Sequence, residues 1–360
     1  MTGTARLRTA LAAAAGAAIV LLVAPAAALA WDALYQDVDF VSAQRGWVVG
    51  AGATIIRTTN GGRTWVTQKH VSGGPMLNDV CFRGKLRGWA VGDHARLYRT
   101  TDGGKRWLRV RAATFGVANL YSVKFTSASK GWICGGQWTS SYSDTTQPWG
   151  YIWGTSDGGR TWTQQVTAAG ACYTALDFVN GWTGVAAGRC RVQTTPSTGF
   201  DMPFLVSTTD GSFWTGFQYL GTTPVTAMVH GLDFAAAGRI VAVGEYGAAP
   251  TFFPFLFSSG DYGTTWTETQ PTLGPVQVQD VRMISNLVGY AVGGGSPNIY
   301  KTIDGGVTWM LKGTTYGREL RGVDFVTAST GYAVGATATG AHAPLIIKTT
   351  SGAARWTRVR

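Results

Sequence analysis

The sequence predicts an all-β fold, a closed ring of seven sheets with four antiparallel strands each. Two motifs that recur in step predict it, together with the absence of helical periodicity. The first motif is Thr100-Thr-Asp-Gly-Gly-Lys-Arg-Trp107. It returns as Thr58-Thr-Asn-Gly-Gly-Arg-Thr-Trp65, Thr155-Ser-Asp-Gly-Gly-Arg-Thr-Trp162, Thr208-Thr-Asp-Gly-Ser-Phe-Trp214, Ser259-Gly-Asp-Tyr-Gly-Thr-Thr-Trp266, Thr302-Ile-Asp-Gly-Gly-Val-Thr-Trp309 and Thr349-Thr-Ser-Gly-Ala-Ala-Arg-Trp356. The closing tryptophans are 42, 55, 52, 52, 43 and 47 residues apart. The second motif is Val38-Asp-Phe-Val-Ser-Ala-Gln-Arg-Gly-Trp-Val-Val-Gly50, repeated over 80–92, 123–135, 176–188, 232–244, 281–293 and 323–335. Units of about 47 residues in fixed order fit the blades of a β-propeller.

Each part of a unit has a chemical reason. Asp-Gly-Gly between two apolar runs is a hairpin turn, because glycine accepts positive φ and Asp or Asn bonds its own backbone. Asn60, Asp102, Asp157, Asp210, Asp261 and Asp304 are therefore read as structural. Trp65, Trp107, Trp162, Trp214, Trp266, Trp309 and Trp356 are the apolar anchors that open the last strand. In the third unit the strands are expected at 121–125 (A), 131–135 (B), 151–155 (C) and 161–166 (D). Strand A alternates apolar Val123 and Phe125 with polar Ser122 and Lys124. The blades are placed at 35–70, 77–112, 119–168, 172–220, 228–270, 277–313 and 320–360, with no strand borrowed across the ends.

Ser/Thr-x-Asp-x-Gly-x-x-Trp resembles the Asp-box, or BNR repeat, of sialidases, xyloglucanases, sortilin-type receptors and photosystem II assembly factors. The partner motif, Phe followed at five to seven residues by Gly-Trp-x-x-Gly, is similar to the photosystem II stability/assembly factor family. The similarity runs from about Asp37 to Trp356. It implies a seven-bladed propeller without catalysis. It also implies a role on the lumenal side of photosynthetic membranes, binding newly made reaction-centre protein. If the organism has no photosystem, the binding role carries over and the partner does not.

The first 30 residues read as an export leader. Arg6 and Arg8 give the positive end, residues 10–23 the apolar core, and Ala28-Leu-Ala30 the cleavage site, with Trp31 as the first mature residue. Removing both arginines takes the formal charge from +11 to +9. The expected address is secreted, periplasmic or thylakoid-lumenal, and a monomer is expected. Export also makes nucleic acid an improbable partner, since no reader module is present.

Two surfaces are candidate contacts. A basic sector centres on unit two, with Arg83, Lys85, Arg87, Arg96, Arg99, Arg106, Arg109 and Arg111, which suits a protein partner with an acidic surface, membrane-associated or not. On its far side, B–C loops are lengthened in units three to five. These insertions carry Trp138, Tyr142, Trp149, Phe200, Tyr246 and Phe252, an aromatic wall for a protein or a glycan. Cys172 and Cys190 flank the Asn180-Gly181 turn, and pairing about that turn, with one bulge, predicts a disulfide. Cys81 and Cys134 read as buried thiols. His70, His94, His230 and His342 form no ligand pair, so neither metal nor cofactor is expected.

The runner-up reading is a glycoside hydrolase, sialidase- or xyloglucanase-like, or a carbohydrate-binding propeller. Its acids would come from Asp144, Asp201 and Glu245 on the insertions, or Asp39, Asp177, Asp233 and Asp324 on strand A. The strand A position holds Cys81, Lys124 and Arg282 in the other units, and so reads as a variable polar side. No acid pair stands out, no Ser-His-Asp spacing occurs, and glutamate is limited to Glu245, Glu268 and Glu319.

Overall fold

A computed structural model describes residues 34–138, 148–195, 198–221, 226–236, 238–248, 251–269, 277–294, 299–313, 319–337 and 343–360. Its strands form seven four-stranded antiparallel sheets, each built from four consecutive strands, A to D. The inner strands A are Tyr35–Ser42, Leu77–Arg83, Asn119–Phe125, Ala171–Phe178, Ala227–Phe234, Val278–Met283 and Glu319–Phe325. They surround a central channel, and strands D lie at the rim. Only one short 3-10 turn, Ala113–Phe115, interrupts the β-structure among the described residues.

The turn motif closes on itself. In blade 2 the buried Thr100 hydroxyl donates to Asp102 Oδ1 at 2.9 Å and accepts the Gly104 N–H at 2.9 Å. Asp102 Oδ1 then accepts the Arg106 N–H at 3.0 Å. The aspartate thus bonds the backbone four residues on, not two. In the copy with one residue fewer, Asp210 takes the N–H groups of Ser212 and Phe213, both at 2.7 Å. These donors hold the carboxyls of Asp102, Asp157, Asp210, Asp261 and Asp304 below their ordinary range, Asp261 at about 2.

The second motif builds the joints between blades. The tryptophan that follows its first glycine lies flat on the strand A phenylalanine of the next blade. Trp47 stacks on Phe82 at 3.4 Å, Trp89 on Phe125 at 3.4 Å and Trp132 on Phe178 at 3.6 Å. Tyr290 stacks on Phe325 at 4.0 Å, and Tyr332 closes the ring on Phe40 at 3.6 Å. The motif tryptophan of the receiving blade meets the same phenylalanine edge-on, as Trp162 meets Phe125 at 5.9 Å. Indole and phenol groups also reach the next turn: Trp89 Nε1 donates to Gly158 O at 3.0 Å, and Tyr332 Oη to Ala43 O at 3.2 Å.

Close approach explains the two glycines. A Cβ on Gly88 would stand 2.3 Å from the Phe82 ring. A Cβ on Gly92 would stand 2.0 Å from Met76 O, because strand A bulges there, at Asn78. A bulge recurs at the matching place in all seven blades: Gln36, Asn78, Tyr121, Thr174, His230, Gln279 and Arg321 are the extra residues.

The joints set the stability. Trp89→Ala removes a fully buried indole and its hydrogen bond, and is expected to cost about 3–5 kcal/mol in urea unfolding. Leu108→Ala, at the exposed rim, is expected to cost under about 0.5 kcal/mol. Equal costs would contradict this account of the joints.

Candidate functional site: two faces and an acidic channel

The A–B and C–D turns form one face of the ring, and the B–C and D–A connections the other. The basic sector divides between them. Arg83, Lys85, Arg87 and Arg106 are exposed on the turn face, where Arg83 Nη2 donates to Thr126 O at 2.8 Å and Arg87 Nη1 to Ala128 O at 3.3 Å. Arg99 belongs with them: burial, then the positive charges of Arg160 and Arg87, lower its pKa. Arg96 starts strand C and Arg111 follows strand D, so both lie toward the opposite face, with Arg109 between them in charge. Burial, then Arg96 and Arg111, lower the pKa of Arg109. Arg96 Nε is buried without a hydrogen-bond partner. The ion pairs among the described residues lie elsewhere.

The insertions of blades 4 and 5 are strand hairpins rather than loops. Strands B and C run on to Thr195 and Thr198 in blade 4, and to Ala248 and Thr251 in blade 5. Part of the aromatic wall packs these hairpins. The Trp138 ring carries the guanidinium of Arg189 at 3.8 Å and that of Arg191 at 5.0 Å, and both arginines flank buried Asp201 at 3.7 and 4.0 Å. Tyr246 stacks on Phe253 at 5.5 Å. Phe200 and Phe252 are half-buried, opposite Val192 and Gly247. Trp149 and Phe253 remain exposed. Tyr142 and Asp144 lie outside the described residues.

The expected Cys172–Cys190 disulfide is corrected: all four cysteines are free. The turn is one residue wider than Asn180-Gly181 alone, with Phe178 facing Gly184, and the bulge at Thr174 offsets that extra residue. Cys172 therefore pairs with Arg189 and Cys190 with Ala171. Neighbours along a strand point to opposite faces, so the two thiols are on opposite sides of the sheet. Burial pushes the Cys172 thiol up to about 12, and burial with Asp39 does the same for Cys81. Such thiols are unreactive.

The strand A acids are not a variable polar side. They line a central cavity of about 690 Å³ and tie each blade to the next. Asp39, Asp177, Asp233 and Asp324 accept the N–H groups of Phe82, Phe234, Met283 and Phe40 at 2.5, 2.7, 2.6 and 2.7 Å. A second tier, not singled out in the sequence reading, does the same: Asp37 to Val80 at 2.9 Å, Asp79 to Val123 at 2.7 Å and Asp280 to Val323 at 2.8 Å. Two of the blades without a first-tier acid supply cations. Lys124 pairs with Asp177 at 2.5 Å, and Arg282 bridges Asp233 at 3.1 Å and Asp324 at 3.2 Å. Among the described residues no group of three His, Cys, Asp or Glu is arranged to hold a metal ion. Period-two alternation on strand A, with an acid two residues before the first-tier position (Asp37 before Asp39, Asp79 before Cys81, Asp280 before Arg282), was the signal for the second tier.

Seven carboxylates against five cations in the cavity lining, Arg83, Lys124, Arg189, Arg282 and Arg321, leave the channel short of positive charge. Burial, then the Asp79 charge, holds the Asp37 carboxyl well above its ordinary range. Burial likewise raises Asp39 to about 7, with Asp324 adding to it, Asp233 to about 6 and Asp280 to about 8. A raised carboxyl contributes stability that is present below the unfolded value near ~3.9 and lost as pH rises through the folded value. The turn aspartates act oppositely, contributing above that value and losing as pH falls. Thermal stability is expected to be greatest near roughly pH 4 and to fall from there toward pH 8. Asp280→Asn keeps the acceptor for Val323 and should flatten the alkaline limb; a melting temperature constant from pH 5 to 8 in the unsubstituted protein would refute this.

The model of the photosynthesis system II assembly factor YCF48 family matches residues 25–111 and 66–142. A search of curated proteins returns no match. Among solved structures, YCF48 bound to a D1 peptide has a TM-score of 0.62 and 20% identity, over 90% of this chain and 93% of that one. YCF48 from Cyanidioschyzon merolae has a TM-score of 0.60 and 21% identity, over 89% and 96%. A puromycin hydrolase S511A mutant complexed with PGG reaches 0.63 at 12% identity, over 92% of this chain and 54% of that one. At these identities the structural likeness carries the fold alone. The matched segment, the repeats and the seven blades make this chain a propeller similar to those of the photosystem II assembly factor family.

Proposed function

We propose that the chain is an exported, non-catalytic scaffold that binds a protein partner on the face bearing the hairpins. The observation that carries this reading is the group Arg96, Arg109 and Arg111. Their charges repel one another, no acid answers them among the described ion pairs, and Arg96 Nε is buried without a partner. An acidic segment of a partner would relieve the first two conditions. Exposed Trp149 and Phe253 supply apolar contact on the same face. The D1 peptide bound to the similar YCF48 structure favours a peptide segment as the element recognised. Export rests on the leader in residues 1–30, which lie outside the described residues.

The absence of catalysis is supported by what engages the candidate acids. Asp201 sits between Arg189 and Arg191, Glu245 Oε1 faces His230 Nε2 at 3.4 Å, and Asp39, Asp177, Asp233 and Asp324 each hold a backbone amide. A general acid or base needs its proton free for substrate.

Affinity capture from the exported fraction of the source cells tests the reading. Arg96→Glu/Arg109→Glu/Arg111→Glu is expected to abolish capture of the specific partner, whereas Arg83→Glu/Arg87→Glu on the other face leaves it. Capture unchanged by the first variant, or no specific partner at all, would sink the proposal.

A further inference from the structure

The turn face has a second character that protein binding on the opposite face does not use. Its turns present large apolar side chains at their tips. Leu86, Trp182 and Leu287 stand at A–B turns with 56%, 60% and 56% of their surface exposed. Phe213 and Ile303 stand at C–D turns with 71% and 54% exposed. In a water-facing turn nothing in the fold requires these residues, since the matching position beside Ile303 is threonine in Thr101 and Thr209.

Cations outnumber acids on this face. Arg63, Lys85, Lys105, Arg106, Arg160 and Arg355 are exposed there. The acids on the same turns are the motif aspartates, whose carboxylates are already engaged by their own turn, as Asp157 is by Thr161 and Asp261 by Thr265. Lys130 Nζ lies 3.5 Å over the Trp182 ring, which puts a cation and an exposed indole at one tip.

The arrangement discriminates between partners. A protein interface gathers its apolar residues into one central, desolvated patch with a polar rim. Here the five stand on blades 2, 4 and 6, two each on blades 4 and 6, on one face of a rigid ring whose exposed cations lie on blades 1, 2, 3 and 7. Apolar tips spread over several blades of a face that also carries the cations suit a bilayer surface, where the tips enter the headgroup layer and the cations meet anionic lipid. We infer that the turn face docks on an anionic membrane surface, with Leu86, Trp182, Phe213, Leu287 and Ile303 inserted and the lysines and arginines against the headgroups. This inference is independent of the partner reading, and the two together place the hairpin face away from the membrane.

Flotation of the full chain with vesicles tests it. Binding is expected to vesicles of phosphatidylcholine and phosphatidylglycerol, to be absent with phosphatidylcholine alone, and to weaken as salt rises. Trp182→Ser/Phe213→Ser/Leu287→Ser is expected to weaken binding at least about tenfold. Lys85→Glu/Lys105→Glu/Arg106→Glu is expected to weaken it on the order of a hundredfold. Arg96→Glu/Arg109→Glu/Arg111→Glu should float as the unsubstituted protein does, which separates this surface from the partner face. Melting temperatures report whether each variant is folded. Equal flotation of the chain and both turn-face variants overturns the inference, whatever holds the chain to the vesicle. So does failure to bind the anionic vesicles. Loss with the charge variant alone would show that the apolar tips do not enter the bilayer and would equally overturn it.

Discussion

The ring holds because an aromatic ring in one blade lies on a phenylalanine of the next. Stacking at 3.4 to 4.0 Å fixes the distance between neighbouring sheets, and everything else at a joint follows from that distance. With the sheets so placed, a strand A aspartate reaches the amide of the following blade, and the indole or phenol tip reaches the following turn. The glycine ahead of the tryptophan is small because the phenylalanine of its own blade lies against it. One contact therefore accounts for Phe, Gly and Trp in the second motif, and for the aspartate that precedes the phenylalanine. The last joint, blade 7 to blade 1, uses the same parts: Tyr332 on Phe40, Asp324 to Phe40 N–H, and Lys348 to Gly61 O at 2.9 Å.

Much of this was legible in the chain, for a physical reason. Turn chemistry and close backbone approach depend on residues adjacent in sequence, so the Asp-Gly-Gly turns and the Gly-Trp strands declare themselves in each copy. What depended on geometry between distant residues did not. The wall of the channel is one example: Asp39 and Cys81 look like drift at a polar position until strand A is known to be innermost. The bulge is another. It shifts register by one residue in every blade, and in blade 4 that single shift decides whether Cys172 meets Cys190 or Arg189. The basic residues of blade 2 form one cluster in sequence but two in space, because an antiparallel meander sends Arg83 and Arg96 to opposite ends of the sheet.

The division of the molecule follows from the same logic. Recurring acids and indoles are engaged by turns and joints. The features that differ from blade to blade are the hairpins of blades 4 and 5, the unanswered arginines of blade 2, and the apolar tips of blades 2, 4 and 6. These occupy two opposed faces, joined by a channel whose carboxylates outnumber its cations. Contact with two partners at once requires just such a rigid spacer, and a ring of packed sheets transmits little distortion from one face to the other.

Two joints lack the stack. The position held by tryptophan or tyrosine elsewhere is Val185 in blade 4 and Val241 in blade 5, and their facing residues are Phe234 and Met283. Both flank blade 5. A hoop under strain gives at its softest hinges, and here two of them border the same leaf. Solvent exchange, slippage or outward tilt of that leaf would open the hoop while the five aromatic hinges stay shut.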